Sequence, residues 1–290
     1  MRAPEAALAD LLVKAGLSAL ACPPPRKLHI SRRLPGLSNP DAPVEEKRSD
    51  VTDSKPAHTF VLVPGAWLGG WSWQPVARLL TERGYPALAL TLPGLSYDGS
   101  PAGLELADAV GYVVSEVVRR DLTDVVLVSH SWGGYPATGA AHRLAGRVAK
   151  VIYFSAVVPE QGTSMADENG QYGEIIRQAI TASPDATVPV GLDAVQGVLM
   201  PGDPAPLQEL VSQLLLPQPG GYMTGSLDLP PVTKIGLDAA YVLCADDIAL
   251  ARPGAEFAAR LGVDPLVIPG NHMTMLTQPA IVADALLSVL

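Results

Sequence analysis

Three polar groups in this sequence are spaced for nucleophilic chemistry, and Ser131 is the first. It ends the run Val125-Val126-Leu127-Val128-Ser129-His130-Ser131, which passes directly into Trp132-Gly133-Gly134. The apolar residues read as a strand buried on both faces, as at the centre of a parallel sheet. Residues 135–141 then read as a small-residue helix, with Pro136 where a first turn tolerates it. A strand turning sharply into a helix, with a serine at the apex, is the setting of a nucleophile elbow. The pattern is G-x-S-x-G, and here it runs Ser129-His130-Ser131-Trp132-Gly133. Serine replaces the first glycine and adds only a hydroxymethyl group.

Serine is a weak nucleophile at its own pKa and needs an adjacent base, itself oriented by a carboxylate. In an open parallel sheet such groups converge only from the carboxyl ends of strands. Three loops qualify: Ser131 after its strand, Asp246 and Asp247 after Ala240–Cys244, and His272 in Pro269-Gly270-Asn271-His272-Met273. Any one of them alone reads as a turn or cap residue; the combination points to a Ser…Asp…His set. Asp247 is better placed to reach His272, and Asp246 reads as a cap of the following turn. Glu160, beyond the strand Val151–Ser155, is a third choice. His29, His58 and His142 lack this context, and His130 points away from the nucleophile and reads as structural.

Acyl transfer also needs two preorganised backbone donors for the developing oxyanion. One is the N–H of Trp132, the residue after the nucleophile. The other is expected from Pro64-Gly65-Ala66-Trp67-Leu68-Gly69-Gly70-Trp71-Ser72-Trp73, which follows the strand Thr59–Val63, with Ala66 best placed. The glycine spacing there does not match a dinucleotide fingerprint, and three tryptophans would crowd a pyrophosphate. A plain tight turn is the alternative reading. No cofactor and no metal site is expected.

The elements that must position these residues alternate strand and helix. Strands are expected at Thr59–Val63, Ala87–Leu90, from Val125, Val151–Ser155, Ala240–Cys244 and Pro265–Ile268. Helices are expected over Gln74–Arg83, Leu104–Arg119, Gly254–Leu261 and from Gln278 to Leu290. This predicts an α/β fold, a mostly parallel sheet with helices on both faces. The rhythm breaks between about 159 and 231, where helical patches (Gly173–Thr181, Leu207–Leu216) lie among Gly and Pro and no buried strand is evident. Such an insertion reads as a helical lid over the site.

The totals fit one large domain: 290 residues, 48% of them hydrophobic. A chain of this size buries about 75% of its extended surface and needs no staple. Cys22 and Cys244 form no framework, and Cys244 reads as a small core residue. A net charge of −9 argues against nucleic acid and anionic membranes as partners. No run of about 18 apolar residues predicts a span. Residues 6–21 resemble a leader faintly, but Asp10 and Lys14 interrupt them, and Leu8, Leu11, Leu12 and Ala15 fall at helical spacing. Residues 1–57 therefore read as a helix and a Pro-rich arm or linker, 58–290 as the folded domain, and the location as cytoplasmic. Nothing in the sequence specifies an oligomeric state.

Taken together, Val61–Trp73, the Ser-His-Ser-Trp-Gly-Gly elbow, Tyr153–Glu160, Val242–Asp247 and Gly270–Gln278 resemble the α/β-hydrolase superfamily, in the chain order Ser…Asp…His. More narrowly, they resemble the plant methyl-salicylate-type esterases and hydroxynitrile lyases with their bacterial relatives. The resemblance runs from about His58 to the C-terminus. It implies Ser131 as nucleophile, His272 as base, Asp247 as acid, and Ala66 with Trp132 as oxyanion donors. Plant members carry His-Gly at Pro64-Gly65, glycine at Ser129 and a polar residue near Leu68. The lyases carry lysine at Met273, so the resemblance favours hydrolysis here.

The function expected is a serine hydrolase of small, fairly apolar carboxylic esters acting through an acyl-enzyme. Trp67, Leu68, Met273 and Tyr222, with Trp132 and Met223, are expected to line an apolar pocket. The alternatives are a lyase or cyclase using the same triad, told apart by incorporation of solvent oxygen, and a non-catalytic receptor, told apart by failure of a fluorophosphonate to label Ser131.

Overall fold

The structure is a computed structural model describing residues 58–290. The helix expected over 6–21, the arm to residue 57, His29 and Cys22 lie outside the described residues. From β1 (Thr59–Val63) the chain passes a 3-10 turn (Gly70–Trp73) into α1 (Gln74–Glu82), then β2 (Ala87–Ala89), α2 (Leu106–Arg119), β3 (Val125–Ser131), α3 (Gly134–Arg143) and β4 (Val148–Ala156). An insertion follows, carrying α4 (Met165–Glu168), α5 (Gln171–Ala182), β5 (Thr187–Val188), α6 (Leu192–Ala194), α7 (Ala205–Leu214), β6 (Gln218–Pro219) and α8 (Gly220–Thr224). The main rhythm returns with β7 (Asp238–Cys244), α9 (Gly254–Leu261), β8 (Leu266–Ile268), α10 (Thr274–Thr277) and α11 (Pro279–Ser288).

Six strands form one sheet in the order β2-β1-β3-β4-β7-β8. Every pairing in it is parallel, with Val61 opposite Leu127 and Leu127 opposite Val151 at its centre. The α/β architecture read from the sequence is the one observed. Successive strand residues face opposite sides, and each side is covered. Val61, Val63, Leu127 and Tyr153 pack with Val110, Val113 and Val117 of α2 on one face. Phe60, Leu62, Val126, Val128 and Phe154 pack with Val76 and Leu80 of α1 and Leu286 of α11 on the other. Burial on both faces explains why the strands read as unbroken apolar runs rather than alternating ones.

The insertion differs from the expectation in one respect. It contains a buried antiparallel pair, Thr187 with Pro219 and Val188 with Gln218. Two residues per strand are too few to show any periodicity. Among the described residues no helix is long and apolar enough to cross a membrane, and Cys244 is a buried free thiol.

Candidate active site

Ser131 ends β3 with φ of 54°, a left-handed conformation that a side chain adopts only under constraint. The constraint is visible on both sides. Gly133 N–H donates to His130 O at 2.8 Å and Tyr135 N–H to Trp132 O at 2.9 Å, which tightens the turn, while Val157 N–H donates to Ser131 O at 3.0 Å. A Cβ on Gly133 would collide with the carbonyl of Pro64, so this position of the elbow must be glycine. Ser129 stands one pleat before, wholly buried, and its hydroxyl has no partner. The close approach there tolerates the extra atoms without offering them a bond.

His272 follows β8 and is 3% exposed. Its Nδ1 lies 2.8 Å from Asp247 Oδ2, and Asp247 Oδ1 accepts the N–H of Ala249 at 2.9 Å. Burial by itself raises the Asp247 pKa. The His272 charge, its hydrogen bond and the Ala249 N–H outweigh burial and hold the carboxyl below its ordinary value. Nδ1 is engaged, so Nε2 is the nitrogen left for chemistry. Asp246 is exposed and spends its N–H on Gly270 O. Glu160 is likewise exposed and faces Arg260.

Ser131 and His272 share the wall of a cavity of about 340 Å³ with Ala66 and Trp67. The remaining wall is almost wholly apolar: Met165, Ile176, Val188 and Met223 come from the insertion, and Ile248–Ala251 from the loop after β7. Among the described residues no Asp, Glu, Lys or Arg lines it.

The turn carrying Ala66 is stapled from the insertion. Trp67, at φ 65°, donates its N–H to Gln218 Oε1 at 2.8 Å and its indole Nε1–H to Val188 O at 2.9 Å. Its carbonyl accepts Leu216 N–H at 3.1 Å. Gly65 is needed because a Cβ there would sit 2.8 Å from both Ser131 Cβ and His130 Nδ1. The N–H groups of Ala66 and Trp132 are bonded to no acceptor among the described residues, whereas their neighbours Trp67, Leu68 and Gly133 are all engaged.

Of the residues expected to line the pocket, Trp67 and Met223 do so. Leu68, Met273, Tyr222 and the wholly buried Trp132 are corrections. Leu68 and Met273 are buried in the core beside Trp73 and Phe60. Tyr222 is wholly buried, stacks on Trp132 at 5.0 Å and donates its hydroxyl to Pro93 O. Their apolar character serves the core, and sequence position next to a site residue did not distinguish the two uses. Gln218 and the insertion's wall residues other than Met223 were missed, because the contacts that place Gln218 and Val188 on Trp67 cross more than a hundred residues of chain. Ile248-Ala249-Leu250-Ala251 carried a usable signal: four apolar residues in a loop straight after the acid. Among the described residues no cluster of three or more His, Cys, Asp or Glu could hold a metal ion. Burial, ahead of smaller effects, pushes the Cys244 thiol up to about 11, which leaves it protonated and unreactive at neutral pH.

Comparison with known proteins gives this geometry a lineage. Methylesterase 2 of Arabidopsis thaliana is 24% identical over 262 residues, covering 82% of this chain and 98% of that one. A carbendazim hydrolyzing esterase of Nocardioides sp. is 38% identical over 108 residues, which span 37% of this chain and 45% of the esterase. An extracellular alpha/beta-hydrolase from a Paenibacillus species, described as sharing structural and functional homology with tobacco salicylic acid binding protein 2, superposes with a TM-score of 0.75. It is 22% identical, covering 80% of this chain and 98% of its own. The profile of the alpha/beta hydrolase family matches residues 60–285, most of the chain and every strand of the main sheet but one N-terminal residue. This chain belongs to the alpha/beta hydrolase family.

Proposed function

We propose that the chain is a carboxylic ester hydrolase that works through a Ser131–His272–Asp247 triad. One observation carries the reading: a strained serine shares a cavity with a histidine whose other nitrogen is held by a buried carboxylate. The esterase and methylesterase relatives support the same chemistry. His272 Nε2 takes the proton of Ser131 as its Oγ attacks the ester carbonyl, and Asp247 stabilises the imidazolium through Nδ1. The N–H groups of Ala66 and Trp132 receive the oxyanion. The alcohol leaves with the proton from His272. Water, activated by His272, then attacks the acyl-enzyme, and the acid departs as Ser131 is restored.

The cavity supports substrates that are small, fairly apolar and uncharged, because its wall offers no counter-ion and an unpaired charge is expensive to bury. The same wall disfavours the carboxylate product once it ionises, which promotes release. In this reading the insertion between β4 and β7 acts as the lid, since it supplies half of the apolar wall and the staple on the Ala66 turn.

Ser131→Ala tests the reading. Turnover of p-nitrophenyl acetate should fall to background while the circular dichroism spectrum and thermal transition remain those of the wild type. Retained turnover in a folded variant would remove Ser131 from the chemistry.

A further inference from the structure

His130 takes part in no step above, yet the chain invests in it. It is wholly buried, packed against Phe154 at 5.8 Å and edge-on to Trp73 at 6.3 Å. Its ring centroid is 4.5 Å from that of His272, and its Nε2 lies 2.9 Å from the backbone carbonyl oxygen of His272. A carbonyl can only accept, so Nε2 must carry the hydrogen. Nδ1 is then a bare acceptor, and it has no partner among the described residues. It faces the backbone of Gly65, where even a Cβ would come within 2.8 Å. Burial, and then the neighbouring His272, push the His130 pKa well below its ordinary value, so the ring stays neutral.

The bond joins two parts of the site that the chain separates by 142 positions. His130 is the residue before the nucleophile on a rigid central strand. His272 lies in a loop that follows Gly270 at φ 115°. Asp247 fixes one ring nitrogen, and the flanking residues are held away from the nucleophile, Gly270 O by Asp246 N–H and Asn271 by Asp203. The His130 bond is the tie that fixes the main chain of His272 itself to the strand carrying Ser131. We infer that His130 is a positioning residue for the reaction: its Nε2–H clamps the His272 carbonyl to the elbow, so that base and nucleophile keep one register. The inference rests on the reading of Ser131, His272 and Asp247 as a triad.

A ring that only filled space would be replaced adequately by leucine. A donor at Nε2 would not, and the amide nitrogen of glutamine reaches the Nε2 position whereas that of asparagine stops near Nδ1. The test compares His130→Gln, His130→Asn and His130→Leu with p-nitrophenyl acetate, counting only protein that folds. The expected result is that H130Q keeps most of kcat. H130N and H130L should lose up to about 100-fold in kcat, the scale of a misplacement near 1 Å, with KM little changed. Equal kcat in all three variants, or losses that follow thermal stability instead of the donor, would overturn the inference while leaving Ser131→Ala inactive and the triad reading intact. An active Ser131→Ala would instead sink the triad reading itself. A second measurement needs no variant. Two-bond ¹H–¹⁵N spectra of the histidine-labelled wild type should show His130 as the Nε2–H tautomer, and an Nδ1–H or doubly protonated ring would overturn the clamp.

Discussion

Trp67 and Ser131 both hold a left-handed backbone without glycine's freedom, at a cost on the order of 1–3 kcal/mol each. Each strained residue adjoins an expected oxyanion donor: Ala66 precedes Trp67, and Trp132 follows Ser131. The turn that aims the donor thus also strains its neighbour, and the insertion holds the first turn in place through Gln218 and Val188. At Asp247 the sign of the pH dependence follows from its lowered pKa. The unfolded chain takes up the proton at higher pH than the folded one, so Asp247 stabilises the fold above the ordinary carboxylate range of about 4. That contribution is lost as pH falls through the lower folded value. Asp247→Asn should therefore flatten the fall in unfolding free energy below about pH 4, measured by urea denaturation across a pH series. The same variant should lose up to about 10⁴-fold in kcat, as a serine-protease triad does for this change. Unaltered pH dependence together with full activity would remove Asp247 from both roles.

The elements around the cavity are tied to one another by part-buried polar links as well as by packing. Glu168 of α4 has a side chain 1% exposed and accepts from Arg252, just past the wall loop Ile248–Ala251, at 3.0 Å. It also accepts from Arg260 of α9, which bonds Val158 O at 2.7 Å as well. Asn271, before the base, bonds Asp203 of the insertion at 2.7 Å. Removing one arginine leaves the buried Glu168 carboxylate with a single partner and costs about 1–3 kcal/mol. Arg260→Met should lower the thermal midpoint accordingly in scanning calorimetry, and an unchanged midpoint would mean that Glu168 is satisfied without it. None of these links was legible in the sequence. The six strands were: burial on both faces turns the central ones into apolar runs with sharp ends, and the half-exposed edge strands Ala87–Ala89 and Leu266–Ile268 are short apolar segments. The placement of Ser131, Asp247 and His272 at strand ends was legible for a related reason: a strand end is a local feature. The walls contributed by Met165, Ile176 and Val188, and the core destinations of Leu68, Met273 and Tyr222, depend on which distant segments meet, and no short window carries that.

At the scale of the molecule, a sheet with both faces covered leaves its carboxyl ends as the place where loops can converge. Here they meet under an insertion that contributes no charge to the cavity. The chain as a whole carries a net charge of −9, so acidic side chains are plentiful elsewhere, and anionic substrates meet an unfavourable field before they meet an apolar wall. Two esters of equal size that differ only in a remote carboxylate should therefore be separated in kcat/KM by at least about 100-fold in favour of the neutral one, the equivalent of burying a charge without a partner. Comparable kcat/KM for the pair would show that a counter-ion reaches the substrate from outside the wall described.

In the proposed mechanism Ser131 is a nucleophile activated by His272. Treating the protein with a fluorophosphonate and mapping the adduct by peptide mass spectrometry tests it most directly. A single phosphonylated residue, Ser131, is expected in the wild type and is expected to be lost in His272→Ala. No adduct, an adduct on another residue, or undiminished labelling in His272→Ala would contradict it.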